Sequence, residues 1–272
     1  MLDQFIAEPT LEKSQVKASF NRAAERYDDW AALQRRVGDR LLGLLDLPAS
    51  STATILDLGT GTGYCARQLI RPNTQVIALD LAPAMLTKAR SLNELDTDYV
   101  GADAESLPFA DRCLDLVFSN LMIQWCVNLD RLFSEVHRVL KPGGIFVFST
   151  FGPETLHELR DAWKRVDFST HVNQFFGRSA IQDAIVRSGL KYPDVARECW
   201  QVDYPNVMNL MRELKGIGAH NVTGGRARTL TGKSKIARMI NTYSAMNDGR
   251  KIPATFELIL GHCGRYDDSR IV

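Results

Sequence analysis

Ala53-Thr54-Ile55-Leu56-Asp57-Leu58-Gly59-Thr60-Gly61-Thr62-Gly63-Tyr64-Cys65 is the stretch that decides the fold. Its first six residues form a short apolar run, which predicts a buried strand. Three alternating glycines follow, and then a helical pattern over Cys65–Leu69. Gly59 and Gly61 permit a tight turn and let a ligand approach the backbone closely. The usual dinucleotide fingerprint is GxGxxG. Here Gly63 comes one residue early and Tyr64 follows it. A pyrophosphate needs the helix N-terminus kept open toward it, so the loop departs from that pattern.

Strand and helix signals alternate outward from this loop. Apolar runs at 75–80, 98–100, 114–120 and 144–150 read as strands, and Met85–Arg90 and Leu129–Leu140 as helices. Two late strands are expected at 195–204 and 255–264. Alternation of this kind predicts an α/β fold, with helices on both faces of a mostly parallel sheet. Before it, residues 11–46 read as helical on the spacing of Val16, Phe20, Ala23, Ala24 and Tyr27, then Leu33, Val37, Leu41, Leu44 and Leu45. Residues 153–166 predict a helix with Pro153 in its first turn. Ser179 is expected to cap the helix that follows it.

The strand ends carry the chemistry. Asp80 ends the second strand, 21 residues after Gly59, where a carboxylate can accept both hydroxyls of a ribose. Leu81 and Met85, just beyond, join the candidate set. Asp103, with Ala104 beside it, follows the third strand, where a carboxylate can accept an adenine amino group. Asn120 ends the fourth strand, and Gln124 and Trp125 follow in its loop. In open α/β sheets a ligand lies at those carboxyl ends. The spacing from Gly59 to Asp80 alone fits NAD as well as S-adenosylmethionine. S-adenosylmethionine has no phosphate; its amino-acid tail carries an ammonium and a carboxylate, and Asp57 suits the ammonium. The expected cofactor site is therefore Asp57, Gly59, Gly61, Gly63, Asp80, Leu81, Met85, Asp103, Ala104, Asn120 and Gln124.

Composition narrows the classes. A net charge of +1 with 24% charged residues does not suit a general nucleic-acid binder. No apolar run is long enough to span a membrane, and the first residues lack the pattern of a secretory signal. Five cysteines without a CxxC pair suggest free thiols and a cytoplasmic setting. Five scattered histidines show no metal-ligand spacing, so no metal is expected. Residues 205–252 differ from the rest, with nine Lys or Arg against Glu213 and Asp248. That segment is either a solvated surface or a basic cap that receives an acidic partner.

Asp57–Gly63, Asp80, Asp103 and Leu140-Lys141-Pro142-Gly143-Gly144 resemble the successive motifs of class I methyltransferases. The resemblance implies a Rossmann-like seven-stranded sheet of order 3-2-1-4-5-7-6 with strand seven antiparallel. Ala82 stands where relatives usually carry Ser, which weakens a helix cap. A narrower resemblance covers Ser19–Ala24 with Tyr27, Leu33-Gln34-Arg35, Asn120-Leu121, Gln124–Cys126, His171–Phe175 and Leu214–Ala219. These are similar to malonyl-acyl-carrier-protein O-methyltransferases of biotin synthesis.

That narrower resemblance implies the acceptor: the free carboxylate of a malonyl thioester on acyl carrier protein, or on coenzyme A. Such a carboxylate is ionised at neutral pH, so no base is obligatory. Positioning and exclusion of water would carry the reaction. The expected positioning residues are Tyr27, Trp125, Lys215 and Arg226, with no His–Asp pair. Alternatives stay open at each: Tyr27 as core packing, Trp125 as core, Lys215 and Arg226 as surface charges. Methylation of another small acid or a quinone precursor, and a non-catalytic cofactor-binding partner protein, also remain. The expected organisation is an N-terminal helical lid (1–46), a Rossmann-like core (47–204 and 253–264) and a basic helical cap (205–252).

Overall fold

The apolar run before the glycine loop is strand β1 (Ala53–Leu58) in the computed structural model, which describes residues 11–45, 52–92, 97–167, 169–219, 232–245 and 251–266. Three helices precede it: α1 (Lys13–Ala23), α2 (Tyr27–Trp30) and α3 (Ala32–Leu42). After it come α4 (Tyr64–Leu69), β2 (Thr74–Asp80), α5 (Pro83–Ser91), β3 (Asp98–Gly101), β4 (Leu114–Asn120), α6 (Leu129–Val139) and β5 (Leu140–Phe151). The chain continues through α7 (His157–Lys164), α8 (Arg178–Ser188) and β6 (Lys191–Tyr204). Helices α9 (Val207–Gly216) and α10 (Lys233–Ala245) then lead to β7 (Ile252–Gly264).

The sheet order is β3-β2-β1-β4-β5-β7-β6. Strands β1 to β5 pair in parallel, and β7 runs antiparallel to both β5 and β6. Both the order and the reversed strand agree with the expectation. The central strands are apolar along their length because helices cover both faces. Leu56, Val117 and Phe118 are fully buried. On one face α6 and α8 close a core in which Phe133 meets Phe146 and Phe148 edge-on at 5.8 Å. On the other face Leu41, Cys65 and Leu69 pack on Ile55, Val76 and Phe118. A third apolar cluster joins α7, α9 and α10 to β7. Parallel pairing of β1 with β2 and β4 brings their carboxyl ends to one edge, where the site lies.

Three local expectations need correction. The helix expected over 11–46 is broken: a short 3-10 turn (Ala24–Arg26) follows α1, and Ala31 leaves helical geometry at φ −87°, ψ 30°. Apolar spacing continues across both breaks, so the pattern gave no warning. Pro153 lies in a turn ahead of α7; Leu156, at φ +57°, is where the chain turns into the helix. Ser179 sits inside α8, whose N-cap is Gly177 without a side-chain bond.

Candidate cofactor and acceptor site

The glycine loop crosses the carboxyl ends of β1 and β2. Gly59, Gly61 and Gly63 all have positive φ, a conformation that side chains with a Cβ resist. A Cβ on Gly59 would strike Met122 Cγ at 2.3 Å, whereas one on Gly61 would meet no protein atom within 4 Å. Gly61 therefore borders open space: two adjoining cavities that also share Tyr27, Gln34, Gly59 and Asn120.

The first cavity holds the nucleoside candidates. Asp80, Leu81, Met85, Asp103, Ala104, Asn120 and Gln124 line it, with Trp125, Phe20 and Lys13. Asp80 Oδ2 accepts the Gly61 N–H at 2.9 Å and Oδ1 accepts the Ala82 N–H at 2.8 Å, so the carboxylate sets the loop as well as facing the cavity. Burial raises its pKa against those hydrogen bonds. Both amide atoms of Asn120 are bonded, to the Gln34 carbonyl and the Ser149 hydroxyl. Those of Gln124 bond the Leu121 carbonyl and the Thr150 hydroxyl. These two residues shape the cavity wall, with the oxygen and nitrogen of each amide engaged once within the protein.

The second cavity lies beside the glycine loop and contains Asp57, Asp28, Arg35, Thr60 and Thr62. Asp57 is 1% exposed and accepts the Thr60 hydroxyl at 2.7 Å. Burial pushes its pKa up to about 7, against hydrogen bonds from Thr60 and the Ala66 N–H. An ammonium facing this carboxylate, with Arg35 nearby for a carboxylate, suits an amino-acid tail. Gly63 is the N-cap of α4 and faces neither cavity.

The helices before β1 reach each of the four strand ends. Lys13 Nζ binds Asp103 at 2.6 and 2.7 Å and Glu105 at 2.9 Å. Asn21 Oδ1 accepts the Ala84 N–H at 3.0 Å. This supplies from outside the cap that Ala82 lacks. Asp28 Oδ1 accepts the Thr62 hydroxyl at 2.7 Å, and the Gln34 carbonyl accepts from Asn120. Burial, and then the carboxylates of Asp80 and Asp28, raise the Tyr27 phenol above its ordinary range. Tyr27 is thus a hydroxyl donor facing both cavities.

A larger chamber of about 660 Å³ adjoins the first cavity on its other side. Gln34, Trp125, Phe151, Ile217 and Ala219 form the shared wall. Phe20 holds Trp125 edge-on at 5.2 Å. The chamber is mainly apolar, with Leu33, Leu159, Phe175, Met211 and Phe256, but Arg22, Lys215, Glu213, His171 and Asn173 also face it. Burial raises the Glu213 pKa against its hydrogen bond from Tyr204. A His–Asp pair lies at the edge of this chamber. His171 Nε2 lies 2.7 Å from Asp167 Oδ1, and the ring stacks on Trp163 at 3.7 Å. Despite its burial, Asp167 is pulled down to about 2 by Lys235 and His171. Of the two, His171 lines the larger chamber, and neither lines the cofactor cavity.

Leu214–Ala219 closes this chamber from above. A Cβ on Gly216 would lie 2.4 Å from the Trp30 ring, and one on Gly218 3.2 Å from the Ser19 carbonyl. The two glycines therefore let α9 and its end settle directly on α1 and α2. Arg226 lies outside the described residues.

Comparison with known proteins agrees with this geometry. Residues 56–148 match the family model of a methyltransferase domain. A Nitrosospira multiformis malonyl-acyl-carrier-protein O-methyltransferase is 41% identical, covering 93% of this chain and 89% of that protein. The chain belongs to that methyltransferase family. A relative of the same name from Laribacter hongkongensis is 43% identical, again over 93% of this chain and 90% of its own. Among solved structures, a Bacillus halodurans methyltransferase superposes with a TM-score of 0.61 at 18% identity, covering 84% of this chain and 98% of that one. A Haemonchus contortus phosphoethanolamine N-methyltransferase, solved with S-adenosylhomocysteine, has a TM-score of 0.53 at 20% identity, over 84% and 52%. Both share the fold. The relatives match 93% of the chain, well beyond the residues 56–148 that match the domain model.

Sequence reasoning missed Arg22, Arg35 and Lys13. Each is one of three cations on a helix otherwise read for its apolar face, and nothing in its spacing sets it apart from a solvated charge.

Proposed function

We propose that the chain transfers a methyl group from S-adenosylmethionine to the free carboxylate of a malonyl thioester on acyl carrier protein, early in biotin synthesis. Identity above 40% that spans the cap as well as the cofactor core is the observation that carries this reading. The donor set fits the cofactor: Asp80 for the ribose, Asp103 for the adenine, and Asp57 with the open face of Gly61 for the tail. When bound, S-adenosylmethionine supplies an electrophilic methyl on a sulfonium.

The protein's own part is placement. Trp125, Phe151 and Ile217 separate the two chambers with apolar surface and keep water from the transfer point. Arg22 and Lys215 supply positive charge along the acceptor chamber. Tyr27, with its raised pKa, donates a hydrogen bond and does not act as a base. No base is required, because the acceptor is already a carboxylate.

Helices α1 and α2, with Leu214–Ala219 seated on them, would cover the cofactor cavity and the acceptor chamber. The basic cap suits an acidic carrier protein, and the same chamber would take a coenzyme A thioester. Among the described residues no helix is long and apolar enough to cross a membrane, and all five cysteines are free. These features fit a cytoplasmic enzyme.

The test is mass spectrometry of malonyl carrier protein and malonyl coenzyme A after incubation with the cofactor. A gain of one methyl on malonyl carrier protein supports the reading. An unmethylated malonyl group, with methyl transferred to a quinone precursor or free diacid instead, rejects it.

A further inference from the structure

Gln34 alone borders all three cavities: the nucleoside cavity, the tail cavity and the acceptor chamber. It is also the one residue with an amide or charged side chain on the wall that the first cavity shares with the acceptor chamber. Its place follows from α3. Gly38 lies one turn later on the same helix face. A Cβ there would lie 2.7 Å from Cys65 Sγ and 3.2 Å from Asn120 Nδ2. The glycine lets α3 press onto the end of β4, which carries Gln34 over the junction.

The Gln34 carboxamide is unsatisfied. Its Oε1 is buried and has no hydrogen-bond partner. The neighbouring amides of Asn120 and Gln124 have both polar atoms bonded. A half-turn of the amide exchanges O and N, so the buried group is an acceptor or a donor according to what faces it. Among the described residues only Gln15 Oε1 is also buried and unpaired; an unpaired group at a cavity junction is explained by a ligand that completes it.

We propose that the Gln34 amide positions the acceptor carboxylate, donating from Nε2 to the oxygen that does not take the methyl. This rests on the carboxyl-methylation reading above. The tail cavity already offers Asp57 and Arg35 to the cofactor's charged tail, whereas the rest of the shared wall is Trp125, Phe151, Ile217 and Ala219. Holding one oxygen turns the lone pair of the other toward the methyl carbon. The O–CH3 bond forms as the C–S bond breaks, the bonding pair goes to sulfur, and no proton moves. Gln34 is a positioning residue that touches the acceptor.

The test compares wild type with Gln34→Met and Gln34→Glu, using malonyl carrier protein, S-adenosylmethionine and, for binding, S-adenosylhomocysteine. Gln34→Met keeps the volume and removes the hydrogen bond. Its kcat/KM for malonyl carrier protein should fall roughly ten- to a hundredfold, the range for a lost bond to a charged group. Its affinity for S-adenosylhomocysteine should stay within about twofold and its melting temperature should not fall, because a buried unpaired amide has been removed. Gln34→Glu should lose more activity by like-charge repulsion without losing S-adenosylhomocysteine binding. Unchanged kcat/KM in Gln34→Met overturns the proposal. So does a parallel loss of S-adenosylhomocysteine affinity, which would give the amide to the cofactor. If Gln34→Met does not fold, Gln34→Glu with wild-type kcat/KM overturns it equally. A wild type that leaves malonyl carrier protein unmethylated removes the underlying reading as well, which separates the two failures.

Discussion

Lowering the pH from 8 to 6 should weaken cofactor binding about tenfold, and Asp57 is the reason. Its carboxyl is 1% exposed, and burial holds its pKa at about 7. In the proposed placement, the cofactor's ammonium would bind the ionised form. That form makes up about nine-tenths of the protein at pH 8 and about one-tenth at pH 6, so the affinity ratio is close to ten. The linkage sign for stability is opposite. A carboxyl whose folded pKa lies above its ordinary 3.8 contributes most below about pH 4 and loses that contribution as pH rises through about 7. Ligand-free protein should therefore lose stability over the interval in which it gains affinity. Calorimetric titration with S-adenosylhomocysteine at pH 6, 7 and 8, in two buffers of different ionisation heat, reads both the affinity and the protons released. Asp57→Asn should bind more weakly with a flat profile. Equal affinity at pH 6 and 8 without proton release, or an Asn variant that keeps the slope, would refute the reasoning.

Two further predictions concern the helices over the site. Asn21→Ala removes the outside cap on α5 and should cost about 1 kcal/mol in denaturant unfolding; an unchanged midpoint would mean that water replaces it without loss. Gly216→Val drives a side chain into Trp30 and should cost about 1–3 kcal/mol by overpacking while raising KM for the carrier substrate. A wild-type melting temperature and KM would show that Trp30 moves aside freely.

The parts of the fold that repeat along the chain were readable in the sequence. Strands β1, β2, β4 and β7 begin and end within three residues of their apolar runs, because burial on both faces demands continuous apolar residues. The strand-end acids were readable for the same reason, since a carboxylate that closes a buried strand has no packing purpose. Partnership across the chain was not. Asn21 capping α5 spans 63 residues, and Lys13 reaching Asp103 spans 90. Neither leaves a local periodicity. The Asp167–His171 pair shows the limit at short range: its residues are four apart in sequence, but the Trp163 stack, the Lys235 ion pair and the Ser169 N–H give it shape. Leu214–Ala219 lay between these cases. Its glycines stood out as a motif, yet their reason, contact with Trp30 and Ser19, lies 186 and 199 residues earlier.

The placement of the cofactor is the claim on which the rest depends. A crystal structure of the protein with S-adenosylhomocysteine tests it most directly. The ribose should lie within hydrogen-bond reach of Asp80, the adenine beside Asp103 and Ala104, and the amino-acid tail between Gly61 and Asp57, with the sulfur facing Gln34 and Trp125. A nucleoside bound elsewhere, leaving Asp57, Asp80 and Asp103 without contact to it, would contradict the account.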